Sequence, residues 1–145
     1  MATFQNEITM EYSTEEVFKV FKETAKKDFQ SFDEENPIGT FVERKVGAYS
    51  ERKGKMKVRI TDYKINSVYE ITSTKGSVVY KSRYEFYPLS ENTTKLLLIE
   101  SQYTTGLFNR ANALVASIVF KGRIKKRFKF FIKCLEDQIE KNCMQ

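Results

Sequence analysis

Three glutamates fall in stretches that alternate like β-strands: Glu70, Glu85 and Glu100. A carboxylate turned into an apolar cavity has a raised pKa and can serve as a general acid or base. Alternation sorts them. From Ser77 to Tyr87, Val78, Tyr80, Ser82, Tyr84 and Phe86 share one face, and Glu85 shares the other with Lys81 and Arg83, as an outer-face ion-pair partner would. Glu100 falls on the face of Leu96 and Leu98, where it is either a rim residue or a polar handle in a cavity. The tyrosines form a second group. Tyr69 with Ile71, Tyr80 and Tyr84 with Phe86, and Tyr103 with Ile99 fall on apolar faces, where rings pack and hydroxyls need partners. Such residues either fill a core or line a cavity of mixed polarity in which hydroxyls orient a ligand.

Other chemistry finds little support. The chain contains no His, so the commonest nucleophilic triad is excluded, although Ser-Lys arrangements remain formally open. It carries no G-x-S-x-G elbow, glycine-rich phosphate loop or H-E-x-x-H motif. The two cysteines, Cys134 and Cys143, sit nine positions apart on one expected helix, which separates them by about 13 Å and precludes a mutual disulfide. Two distant thiols without His make a zinc site improbable, and we expect neither a metal nor a cofactor.

The elements that would position these residues follow from periodicity. "FQNEITMEY" alternates strictly and reads as a half-buried strand. In "STEEVFKVFKETAKKDFQSF", Ser13 and Glu16 have capping-box spacing. Val17, Phe18, Phe21, Ala25, Phe29 and Phe32 recur at helical intervals, which predicts a helix of about five turns. Pro37 and Gly39 mark a loop over residues 33–39. Residues 40–105 then read as five strands with short connections, including a charged hairpin tip, "GAYSERKG", which implies an antiparallel meander. After Gly106 the period is helical for nearly forty residues. One straight helix of that length would overreach a domain of this size, so a break near Gly122 is expected. The two resulting helices would run over about 107–120 and 123–142, the first with a broad apolar face of Leu107, Ala111, Leu114, Val115 and Ile118.

The last helix raises a further question. In "VFKGRIKKRFKFFIKCLEDQIEK" seven Lys and Arg precede the first acid. On a helical wheel Ile124, Phe128, Phe131, Ile132, Leu135 and Ile139 fall within a sector of about 100°, wide enough to face a core. Lys125, Lys126, Lys129 and Lys133 occupy the remaining arc, and Phe130 lies among them, opposite the apolar sector. An exposed Phe in a basic arc is what a membrane-surface or partner contact uses, although single exposed apolar residues are common.

Composition sets the frame. With 145 residues, 41% apolar and 30% charged, the chain fits a single globular domain, 1–145. No apolar run approaches the roughly 20 residues needed to cross a bilayer. The first residues carry no secretion signal, so a cytoplasmic location is expected. The net charge of +6 is uneven: residues 1–40 carry four bases and nine acids, and residues 107–145 carry nine and three. An anionic partner would therefore meet the later part of the chain.

The order strand, long helix, five-stranded meander and C-terminal helix resembles the START-like, birch-allergen-like helix-grip superfamily (SRPBCC). Within it, the chain is similar to the small domain-of-unknown-function branch from Gram-positive bacteria. The resemblance covers essentially the whole chain and rests on "FQNEITMEYSTEEVFKVF", "ENTTKLLLIESQY" and "NALVASIVFKGRIKKRFKFFIKCLEDQIE". It implies an α+β fold in which a curved antiparallel sheet of about six strands grips the C-terminal helix around an apolar cavity, and in that frame the 107–120 helix would lie over the sheet's opening, as a lid or as ordinary packing. Members of the superfamily commonly bind lipids, sterols, polyketides or other hydrophobic molecules there, while some are cyclases or hydrolases and others bind proteins.

Three functions follow, in order of preference. The first is binding of a hydrophobic small molecule in a cavity lined by Tyr69, Ile71, Tyr80, Tyr84, Phe86, Glu100 and Phe128. The second is attachment to an anionic surface, membrane lipid or RNA, through Lys125, Lys126, Lys129, Phe130 and Lys133, with the Lys53–Arg59 segment contributing. The third is an enzyme working through an inward carboxylate and tyrosines, for which no catalytic motif speaks.

Overall fold

In a computed structural model, the structure describes residues 2–45, 55–104 and 110–143, with side chains for 3–43, 56–103 and 125–143 except Arg127. Strand β1 (Ala2–Met10) leads into helix α1 (Thr14–Asp28). Five strands follow, β2 (Phe41–Lys45), β3 (Lys55–Lys64), β4 (Val68–Lys75), β5 (Val78–Ser90) and β6 (Thr93–Thr104), and then helix α2 (Arg110–Cys143). All six strands form one sheet in the order β1-β6-β5-β4-β3-β2, antiparallel throughout. The meander accounts for this order. Its inner strands are already paired on both sides, so the first strand can join only at an edge, and it does so beside β6.

Helix α1 begins with the capping box that its spacing predicts. The Ser13 hydroxyl accepts from the Glu16 backbone N–H, and the Glu16 carboxylate accepts from the Ser13 N–H, so two otherwise orphaned donors are satisfied. The helix ends at Asp28, a turn earlier than the periodicity suggests. Phe29 closes it in an extended conformation and buries its own ring. Val17, Phe18, Phe21 and Ala25 face the sheet.

Helix α2 corrects one expectation, because it continues through Gly122 without a break. A single glycine costs a helix about 1 kcal/mol relative to alanine, which the helical residues on either side outweigh, and there is no proline to remove a hydrogen bond. The apolar stripe of its second half faces as the wheel predicts. Phe128, Ile132, Leu135 and Ile139 are buried and Phe131 is half-buried. At its end the Tyr12 hydroxyl donates to Glu140 Oε1 at 3.1 Å, and the Cys143 thiol donates to Glu16 Oε2 at 3.1 Å. These contacts tie the helix to the corner between β1 and α1. The proposed hairpin tip (47–54), Ile124 and the side chains of the proposed lid (107–120) lie outside the described residues.

Candidate functional site

The inner face of the sheet divides along its length. At the α1 end it is closed by rings. Phe21 sits 4.8 Å from Tyr84, 5.0 Å from Phe86, 6.0 Å from Tyr69 and 5.9 Å from Phe131, while Phe18 meets Tyr63 and Phe86 edge-on. Tyr69 and Phe86, expected to line a cavity, are 5% and 3% exposed within this cluster. Tyr84 belongs to it as well, half-buried and 5.7 Å from Phe131. Ile71 packs at the border of the core, opposite Ser82. Beyond it the same face becomes mixed: Glu100 is half-buried in register with Phe4 and Ser82, and Tyr80 is 40% exposed in register with Gln102. On the sheet the expected cavity set therefore falls in two places, and Phe128 of α2 in a third, with the Phe21 and Phe131 rings occupying the space beside Tyr69, Tyr84 and Phe86.

A groove opens instead along the sheet edge, between β1 and α2. It has a volume of about 290 Å³ and is lined by Asn6, Glu7 and Ile8 from the strand and Lys125, Phe128, Lys129 and Ile132 from the helix. The helical spacing i, i+3, i+4, i+7 brings these four side chains to one side of α2. Ile8, Phe128 and Ile132 supply apolar wall. Lys125 and Lys129, one turn apart and exposed, stand at the rim. The Glu7 carboxylate is paired with Lys95 at 3.1 Å, whereas neither rim ammonium has an ion-pair partner among the described residues. Only Phe128 of the expected cavity residues lines this groove, and it stands there with two lysines read from sequence as an anionic-surface contact. Asn6, Glu7, Ile8 and Ile132 were read from sequence as strand and core-helix positions and not as lining residues of a site. The signal was available, because a strand preceding a complete meander must lie at an edge and face whatever covers that edge.

A second concavity of about 410 Å³ lies between the start of α1 and the turns at 66 and 88–91, lined by Ser13, Thr14, Glu15, Asn66, Pro88, Ser90 and Glu91. Two carboxylates and no cation border it, so the helix terminus there does not offer a site for an anion.

The carboxylates of the outer face are held in an ion-pair network. Arg83 Nη1 lies 2.9 Å from Asp62 Oδ2 and 3.1 Å from Glu70 Oε2, and its Nε donates to Glu85 Oε2 at 2.6 Å. The bulge between Ile60 and Asp62 turns both Thr61 and Asp62 to this face. The Thr61 hydroxyl donates to Glu70 Oε1 at 2.7 Å, which leaves Thr72 as donor to Thr61 at 2.9 Å. The Tyr87 hydroxyl donates to Glu85 Oε1 at 2.5 Å. Hydrogen bonds from Arg83 and then Tyr87 hold the Glu85 carboxyl below its usual pKa. Glu85 is thus an outer-face ion-pair partner, as its register predicts, and is not poised as an acid near neutrality. Burial pushes the Tyr63 phenol up to about 12, so it stays protonated. Among the described residues no cluster of His, Cys, Asp and Glu is arranged to hold a metal ion.

The remaining basic residues lie where the wheel puts them. Lys126, Lys133 and Phe130 are exposed on α2, and Phe130 at 70% is the most exposed large apolar side chain described.

A curved antiparallel sheet closed on a long C-terminal helix, with one short helix after the first strand, defines a helix-grip protein. Solved structures share this architecture. A protein of unknown function from Staphylococcus aureus, SA2116, aligns with a TM-score of 0.65 at 13% identity, covering 99% of this chain and 97% of that one. Ara h 8.0201 aligns with a TM-score of 0.61 at 15% identity, covering 96% and 97%. The aromatase/cyclase Zhui from Streptomyces sp. R1128 aligns with a TM-score of 0.57 at 10% identity, covering 97% and 94%. At such identities the likeness is one of fold. Comparison with curated protein sequences finds no match. Residues 2–121 match the family described as "Domain of unknown function (DUF3284)", and the chain belongs to that family.

Proposed function

We propose that this protein, acting as one domain over residues 1–145 in the cytoplasm, binds a hydrophobic, lipid-like small molecule between its sheet and its C-terminal helix. The observation that carries the proposal is the groove between β1 and α2, where Ile8, Phe128 and Ile132 present apolar surface beneath two lysines. Its volume of about 290 Å³ is at the lower end of the range for small-molecule sites, enough for one ring system or a short acyl segment. That an aromatase/cyclase is built on the same fold supports the reading. The described helices include none long and apolar enough to cross a membrane.

Native mass spectrometry of the purified protein, followed by denaturing extraction, tests the proposal. The expected result is a stoichiometric apolar passenger that is lost in Ile8→Trp, a variant whose larger side chain fills the groove from the edge strand. A clean apo mass combined with no binding of anilinonaphthalene sulfonate overturns it. So does a passenger retained at full occupancy in Ile8→Trp.

A further inference from the structure

The exposed arc of α2 continues from the groove's rim. On the helical wheel Lys125, Lys129, Lys133, Lys126 and Phe130 follow one another over about 140°, and the eight steps from Lys125 to Lys133 rise about 12 Å. All five are exposed, and none of the four lysines has an ion-pair partner among the described residues. The acids of the helix begin beyond Lys133. Of these, Glu140 is engaged by Tyr12, so the basic face occupies about two turns with no carboxylate among them. At its far side Phe130 stands 70% exposed, its ring neither in the core nor in an aromatic contact among the described residues.

We propose that this face docks the protein on an anionic lipid bilayer. The four ammoniums are complementary to lipid phosphates, and Phe130 enters the boundary between headgroups and acyl chains, the arrangement of helices that lie on a membrane surface. RNA fits less well, because stacking along a single strand needs several aromatics and this face offers one. Docking stands independently of the groove. That the docked protein presents the groove mouth to lipid, through Lys125 and Lys129, rests on the proposed function above.

Cosedimentation with vesicles tests the docking. Binding is expected to mixed phosphatidylcholine–phosphatidylglycerol vesicles and not to pure phosphatidylcholine, and to weaken as salt is raised. The double variant Lys126→Glu/Lys133→Glu is expected to weaken it about 100-fold, and Phe130→Ser about tenfold. None of these residues lines the groove, so anilinonaphthalene sulfonate binding and the melting temperature should stay as in the parent. A vanished probe signal with vesicle binding intact would overturn the groove alone. Equal binding to both vesicle types, vesicle binding unchanged in the variants, or binding of polyuridylate in place of vesicles would overturn the docking.

Discussion

Replacing Arg83 by methionine removes the only cation, among the described residues, paired with a group of three carboxylates. The guanidinium lies within 3.1 Å of Asp62, Glu70 and Glu85, whose side chains are 25%, 10% and 18% exposed, against 29% for Arg83 itself. Breaking a buried pair from one side costs about 3–5 kcal/mol, because the partner charge remains out of water. Here the exposure of Asp62 and Arg83 lets solvent screen part of the interaction, which places the expected loss near the lower end, at about 3 kcal/mol at pH 7. Glu70 is the most deeply placed of the three and keeps only Thr61 as a donor. The dependence on pH fixes the sign. In the parent the Glu85 pKa is depressed by Arg83, so its pairing stabilises the fold above the unfolded-state pKa of about 4.3, and that contribution is lost as pH falls through the lower folded value. In the variant Glu85 no longer has the guanidinium that depresses its pKa, so it protonates at a higher pH than in the parent and acid relieves part of the loss. The stability gap between parent and Arg83→Met should therefore shrink between pH 7 and pH 4. Urea unfolding followed by circular dichroism at both pH values measures this. A gap below about 1 kcal/mol at pH 7, or one unchanged at pH 4, would refute the reasoning.

Two further substitutions probe what closes the interior. Phe21→Ala empties the space among Tyr69, Tyr84, Phe86 and Phe131 and should cost about 3–5 kcal/mol, while creating a dry cavity that takes up benzene, measurable as a ligand-dependent rise in melting temperature that the parent lacks. Thr94 is fully buried, donates to the Tyr12 carbonyl at 2.8 Å and accepts from Thr14 at 3.1 Å. Thr94→Val keeps its shape, strands both partners and should cost about 1–3 kcal/mol in chemical denaturation.

Much of this architecture was legible because it depends on local periodicity. The alternation of "FQNEITMEY" put Ile8 and Met10 on one face, and the structure keeps them on the side that meets the core. Ser13 and Glu16 marked a helix start, and the 128, 132, 135, 139 stripe marked the buried side of the last helix. Where sequence reasoning placed a break near Gly122, it overweighted domain size, for a lone glycine does not end a helix. Tyr80 shares a face with Tyr84, yet it is 40% exposed while Tyr84 is ringed by aromatics. Alternation assigns a face and not a depth, and burial varies along a face with what lies above each position.

Sequence by itself determined the order of the six strands and of α1 between the first two, the helical character of the C-terminal segment, the faces of the strands, the basic back of α2 and the exposure of Phe130. All of these depend on neighbours within a few residues, where backbone geometry fixes which side chains share a side. Tertiary structure alone decided that Phe21 and Phe131 fill the space beside Tyr69 and Tyr84, and that Asp62, Glu70 and Glu85 converge on one arginine. It alone decided too that an apolar groove opens at β1 beneath Lys125 and Lys129. Each of these joins residues far apart in the chain, and their meeting is set by strand register, a bulge and the seating of two helices, none of which a local pattern encodes.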